Sequence, residues 1–414
     1  MLNRDDWIEL ELSKQKNRIK FINCLIKKNT FADFPPRRIY FEPTNHCNLK
    51  CGHCAAHNGS GTRALGFLEF DLFKKVMNEI KNLNRQTEIN FYQHGESTLH
   101  EKLLDMIKVA SIDYDFFTKL NTNGVTLSKN YSKGLIDSNI DSLVFTIDSI
   151  TPESYKAIKG RDLFHKVISN LLDYLEVWGD HPRQIKNFFA VDIFLVEEER
   201  NKDDIKIIKE MFEKLPIGHV QTYELFNYMG AVQEANNKYD ERFKIPKQNW
   251  PTCNVPWDVL GIRWNGDVVS CIYDYDSRYV IGNIKDDTIM NIWNSNKMQA
   301  FRQAQLLHNF SCVEKKGKLC SNCTIMWQKD YQIPKNFNDE VIRMKRYLDS
   351  AIDRVSLRYK RTQDLLDKHK YLKNNRKKWY KSLLQKIKPI RERFIKEGIS
   401  SIKDAAKISE VISS

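Results

Sequence analysis

The sequence predicts an α/β fold: a parallel sheet of six strands, then a small cysteine-rich unit, then a basic helical extension. Three observations carry this. Six short β-rich runs alternate with helix-length amphipathic stretches between residues 37 and 227, and parallel strands require crossover connections of that kind. The runs are apolar enough to be buried on both faces of a sheet. Beyond them, five of the nine cysteines fall between residues 251 and 330, and residues 331–414 hold 22 Lys and Arg against 10 Asp and Glu.

In chain order, residues 1–36 read as an N-terminal helical segment ended by Pro35-Pro36. The strands of the core, residues 37–227, are expected at 38–43, 88–93, 116–122, 142–148, 188–196 and 219–226. Between the first two, residues 69–83 place Phe70, Phe73, Val76, Met77 and Ile80 at helical spacing. Residues 228–250 read as a polar linker. The unit at 251–330 carries turn signals at Asn265-Gly266 and Gly282-Asn283 and a short helix around 289–304. Residues 331–414 lack Gly and Pro apart from Pro334, Pro389 and Gly398, and read as a helical tail. Polar residues cluster just after the core strands: three cysteines after the first, His94-Gly95-Glu96-Ser97 after the second, Asn123-Gly124 at the third, and Asp148 at the fourth. In barrel-like α/β proteins ligands gather at these carboxyl ends, so the recurrence points to one site there.

Composition bounds the class. Hydrophobic residues make up 41% of the 414 and aromatic ones 11%, which fits a globular cytoplasmic protein. No run approaches the ~18 apolar residues of a spanning helix, and the charged start has no apolar signal region. An odd number of cysteines in tight clusters argues for metal ligation over disulfides. The net charge of +13 resides almost wholly in the tail, so it describes an appendage. Between Lys368 and Arg393 eleven basic residues accompany one acid, while Trp379, Leu383, Ile387, Ile390 and Phe394 share one helical face that Pro389 should kink. The tail reads first as a solvated helix packed on the body through that stripe. A helix lying on anionic lipid at the inner membrane face is the second reading. No recognition motif supports nucleic-acid binding.

The first cysteine cluster is Cys47-x3-Cys51-x2-Cys54, with His46, His53 and His57 nearby. A fourth ligand from these histidines would close a zinc site. Three thiolates can equally hold three irons of a cubane and leave the fourth iron open. CNLKCGHC after the first strand resembles the CxxxCxxC signature of the radical SAM superfamily, with His53 where an aromatic often precedes the last cysteine. The resemblance extends over residues 37–227 and implies a partial (β/α)6 barrel. Residues 94–97 stand where the family has GGEP, which implies that Gly95, Glu96 and Ser97 meet the methionyl end of S-adenosylmethionine (SAM). Gly95 permits close backbone approach and Glu96 can pair with a cation. Asn123 and Asp148 match further SAM-contacting positions. The alternatives are a turn at Asn123-Gly124 and a cap by Asp148 for a helix beginning at Thr151-Pro152.

In the second unit Cys253 is followed by twelve residues, Gly266, four more and Cys271, and then by Cys320-x2-Cys323. This spacing is similar to the SPASM/twitch extensions of radical SAM enzymes, and implies one auxiliary iron–sulfur cluster on Cys253, Cys271, Cys320 and Cys323. A zinc ribbon is the competing reading of four cysteines in two halves. Cys312 does not fit the set, and Cys24 reads as core.

The resemblance implies metal-binding through two [4Fe-4S]-type clusters. It further implies reductive cleavage of SAM to a 5′-deoxyadenosyl radical, hydrogen abstraction, and an electron donor such as flavodoxin or ferredoxin. A closed auxiliary cluster suits two-electron oxidation, so the expected activity is that of an oxidoreductase on a small polar, sugar-like substrate. A peptide-modifying maturase, a redox-neutral epimerase or eliminase, and a zinc-stabilised binding protein are the alternatives. The 36 residues before the first strand are fewer than a separate leader-binding module needs. No catalytic base stands out among the carboxylates.

Overall fold

The computed structural model describes residues 4–58, 63–83, 86–181, 191–198, 201, 204–232, 235, 241–327 and 364–392. Six strands form the parallel core: β1 (Arg38–Phe41), β2 (Glu88–Phe91), β3 (Phe117–Thr122), β4 (Ser142–Thr146), β5 (Asp192–Glu197) and β6 (Val220–Glu224). Their sequence order is their spatial order, each pairing in parallel with the next. Crossover helices such as Phe70–Ile80 and Phe164–Asp180 make that order reachable. Ile39, Ile89, Leu120, Phe145 and Ile193 point outward into one large core with these helices. The alternate residues face the inside of the curved sheet. By register these include Tyr40 beside Asn90, Asn90 beside Lys119, and Thr146 beside Phe194.

The second unit continues the same sheet. Strand β7 (Val259–Ile262) pairs in parallel with β1, and β8 (Asp267–Val269) and β9 (Val280–Asn283) follow antiparallel, giving the order β6-β5-β4-β3-β2-β1-β7-β8-β9. Gly266, with φ 92°, makes the turn between β7 and β8 that Asn265-Gly266 predicts. Gly282-Asn283 is not a turn but lies inside β9, where the missing Cβ admits Ile292 at 2.9 Å. The single helix expected around 289–304 is two, Ile289–Trp293 and Asn296–Leu307, because Ser295 caps the second by accepting from the Met298 amide.

At the N-terminus a helix spans Arg4–Ile26, and Cys24 is buried with Phe21, Ile22 and Leu25. In the tail, residues 364–392 are helical, and the helix continues through Pro389, where a kink is expected. Leu365, Leu372, Trp379, Leu383 and Ile387 are buried in the main core, with Trp379 stacked on Phe212. This is the packed-helix reading. Phe394 and residues 328–363 lie outside the described residues, as does the start of the run expected at 188–196. Among the described residues no helix is long and apolar enough to cross a membrane.

Candidate active site

After β1 the chain turns into the loop of Cys47, Cys51 and Cys54. The loop is seated on the last turn of the helix Pro152–Lys159: the Lys50 amide donates to the Lys159 carbonyl (3.1 Å) and the Gly52 amide to that of Ile158 (3.0 Å). The helix stops there because Gly160 turns left-handed, φ 74°, and a Cβ at that position would lie 2.5 Å from the Lys50 carbonyl. Cys51 is thus held between two amides tied to one helix end. Burial pushes the Cys47 thiol up to about 11 and raises Cys51 and Cys54 also. The seat therefore holds neutral thiols, and iron must displace their protons to bind.

Beneath this loop lies a buried ion pair between Lys159 and Asp148. Burial disfavours the Lys159 charge, but the Asp148 carboxylate outweighs it and holds the ammonium above its ordinary pKa. The Lys159 charge lowers the pKa of all three cysteines, and the Asp148 charge raises that of Cys51. Asp148, left-handed at φ 56°, also accepts from the Val196 amide (2.6 Å). It does not cap the following helix; Thr151 does, in a capping box with Ser154. His53 sits over the pair with Nδ1 2.6 Å from Glu198 and Nε2 3.6 Å from Asp148.

The 94–97 turn packs against the same loop. Gly95 has φ 84°, and a Cβ there would lie 2.6 Å from the Thr44 carbonyl. The Glu96 amide donates to the His46 carbonyl at 2.7 Å. Its buried carboxylate accepts from the hydroxyls of Thr98 (2.6 Å) and Thr122 (2.8 Å) and from the amides of Asn123 (2.8 Å) and Thr98 (3.3 Å). Burial raises its pKa against these bonds. Glu96 therefore ties the ends of β2 and β3 together. Ser97 is buried at the start of the short helix Ser97–Leu99, and Asn123 donates to the Asn48 side chain at 2.7 Å. Gly95, Glu96, Ser97, Asn123 and Asp148 thus gather around one cysteine loop, with the carboxylates of Glu96 and Asp148 already engaged by protein donors.

Cys253, Cys271, Cys320 and Cys323 form the second group. Cys320 and Cys323 are buried in one small core against which Cys253 and Cys271 pack, which places the four together. Burial pushes Cys253 up to about 12 and Cys323 up to about 11, and raises Cys271 and Cys320 as well. Gln305 donates to the Cys320 sulfur at 2.8 Å. Cys312 is exposed. Among the described residues no three His, Cys, Asp or Glu side chains converge as ligands of one ion would. A cubane, with one thiolate per iron, makes no such demand, and both donor sets fit it.

The two groups are linked. His94 makes a 3.1 Å hydrogen bond with the Ile272 carbonyl, next to Cys271, and burial followed by the charges of Arg263 and Arg63 holds its ring neutral. Tyr40 and Tyr92, 5.2 Å apart edge to face, pack with Cys253 and Cys271. Glu42, at the end of β1, is gripped by Arg63 (2.9 Å) and by Arg263 from the end of β7 (3.4 Å). Sequence reasoning did not single out Lys159, Glu198 or the Glu42–Arg63–Arg263 group. The only local signal was Gly160, which ends the helix at Lys159.

The radical SAM superfamily pattern matches residues 41–181, and the SPASM iron–sulfur cluster-binding domain matches residues 253–324, opening on Cys253 and closing just after Cys323. The chain belongs to the radical SAM superfamily and carries a SPASM domain. It is a radical SAM enzyme, whose cofactors are a [4Fe-4S] cluster, SAM and auxiliary iron–sulfur. It is 24% identical over 307 residues to the tungsten-containing aldehyde ferredoxin oxidoreductase cofactor-modifying protein of Pyrococcus furiosus, covering 64% of this chain and 82% of that one. It is 20% identical over 295 residues to the S-adenosyl-L-methionine-dependent 2-deoxy-scyllo-inosamine dehydrogenase of Niallia circulans, covering 71% and 96%. The solved structure of native anSMEcpe with bound AdoMet shares the fold at a TM-score of 0.50 and 15% identity, over 80% of this chain and 99% of that one.

Proposed function

We propose that the protein is a radical SAM oxidoreductase that removes two electrons from a small, polar, sugar-like substrate. The observation that carries this is the group of four cysteines, Cys320 and Cys323 buried with Cys253 and Cys271 against them, of which Cys253 and Cys271 also pack with Tyr40 and Tyr92 on the inner side of the sheet. Four protein ligands leave no iron for a substrate, so an auxiliary cluster there suits an electron acceptor. Asn90, Lys119, Asn121, Thr146 and Asp192 share the inner face by register and offer a polar lining for a hydroxylated ligand. The similarity to an aminocyclitol dehydrogenase supports the same class.

In this reading Cys47, Cys51 and Cys54 hold the SAM-binding cluster, and Gly95, Glu96, Ser97, Asn123 and Asp148 shape the SAM seat. When bound, these groups supply one-electron cleavage of SAM and a place for the substrate's second electron. The chain's own part is orientation. Glu96 fixes the 94–97 turn, Lys159 and Asp148 hold the loop from below, and His94 spans to the second group. The test is anaerobic reconstitution, followed by incubation of the reduced protein with SAM and a panel of aminocyclitols, sugars and peptides. The expected result is 5′-deoxyadenosine formed together with a carbonyl product of an aminocyclitol or sugar. Turnover of a peptide alone, or a product at unchanged oxidation level, would overturn the reading.

A further inference from the structure

The basic tail leads to the cysteine loop. The helix at 364–392 runs antiparallel to Phe164–Asp180: Lys373 pairs with Asp180 (2.9 Å), Arg376 with Asp173 (2.7 Å), and Tyr380 meets His165 (2.5 Å). Further along, Arg391 pairs with Glu153 (2.6 Å). These contacts carry the helix from the bottom of the barrel to the N-terminal end of Pro152–Lys159, whose other end seats Lys50 and Gly52. Along this path Lys50, Lys156, Arg161, Lys166 and, next to Tyr380, Lys381 are all exposed. Among the described residues none of the five has a carboxylate partner. Asp162 is the one acid between residues 156 and 166.

We propose that this surface docks an acidic one-electron carrier protein of the ferredoxin or flavodoxin type, which reduces the cluster on Cys47, Cys51 and Cys54. The inference rests on the radical SAM reading of that loop and supplies its partner. Exposed Lys50 immediately precedes Cys51, so the electron enters one residue beneath the patch. The step moves one electron: the carrier is oxidised by one and the cluster reduced by one, with no bond made or broken. An anionic membrane is the less suited partner, because Leu365, Leu372, Trp379, Leu383 and Ile387 of the tail's apolar stripe are buried on the body and so are withheld from lipid. Opposed charge instead speeds encounter between two proteins, and does so less at high salt.

The test uses the anaerobically reconstituted full chain. Its cluster is reduced in a stopped-flow mixer by dithionite-reduced ferredoxin or by flavodoxin hydroquinone, and separately by dithionite alone. The comparison is a variant carrying Lys156→Glu, Arg161→Glu, Lys166→Glu and Lys381→Glu. The expected result is a second-order rate with either carrier that falls as salt rises and drops about 10-fold or more in the variant. Iron content, cluster spectrum and dithionite reduction should stay unchanged, which excludes misfolding. Carrier rates that are equal in the two proteins, or insensitive to salt, overturn the proposal. So does wild-type binding to phosphatidylserine vesicles at physiological salt that the variant loses while its carrier rate is kept. A chain that assembles no reducible cluster overturns the functional reading as well, and its iron content tells the two failures apart.

Discussion

Gly95 packs the 94–97 turn against the chain just before the cysteine loop. Its left-handed backbone, and the Thr44 carbonyl that a Cβ would meet at 2.6 Å, leave no room for a methyl group. Gly95→Ala should cost on the order of 1–3 kcal/mol in denaturant unfolding, with weaker SAM binding in calorimetry. Lys159→Met strands the buried Asp148 carboxylate and should cost about 3–5 kcal/mol, most of it recovered by adding Asp148→Asn. The thiols make a pH prediction. Cys47, Cys253 and Cys323 stay protonated up to about 11, 12 and 11 in the fold, against an ordinary 9.0. Above pH 9 the folded state holds protons that the unfolded chain has lost, so the metal-free protein loses stability as pH rises through that window. A Cys253→Ala/Cys323→Ala variant should lose it less steeply in thermal melts. The cysteines were legible in the sequence because a chelating loop compresses its ligands into eight residues. Lys159 was not, because its role depends on which loop the fold lays across that helix end. The sequence singles out Glu96, yet the donors around its carboxylate come from Thr98 and from Thr122 and Asn123 at the end of β3, and only the fold shows the latter two.

At the scale of elements, the strands follow from apolar runs and their order from the crossovers between them. The extent of the second unit's merger with the barrel does not follow. β7 is a four-residue apolar run that could pair anywhere, and only tertiary contact places it on β1. Gly282-Asn283 misleads for a related reason: the glycine makes room for a neighbouring side chain and not for a turn. The tail helix shows periodicity winning over a breaker, since a packed face from Leu365 to Ile387 outweighs one lost hydrogen bond near the end at Pro389. Trp379→Ala should therefore cost about 3–5 kcal/mol, read as earlier unfolding and faster proteolysis of the tail. Lys377→Gln and Lys378→Gln, on the exposed face, should change stability by no more than about 0.5 kcal/mol.

For the whole molecule, two thiol groups joined through one sheet predict a definite inventory: about eight irons per chain from two cubane clusters, checked by iron and sulfide analysis after anaerobic purification. Stoichiometric zinc with little iron would contradict it. Cys51→Ala should abolish SAM cleavage, whereas Cys320→Ala should keep cleavage and stop turnover of substrate, as product chromatography will show. The sheet carries one more consequence, for synthesis. β1 receives its β7 partner from about 220 residues further along the chain. At 5–20 residues per second, the ribosome leaves that strand edge open for roughly 10–45 s. An unpaired edge of this kind invites pairing with other nascent chains. The iron–sulfur unit is in this sense also the barrel's closing strap, and production that stalls or truncates before residue 259 should yield aggregates, however much iron the cell supplies.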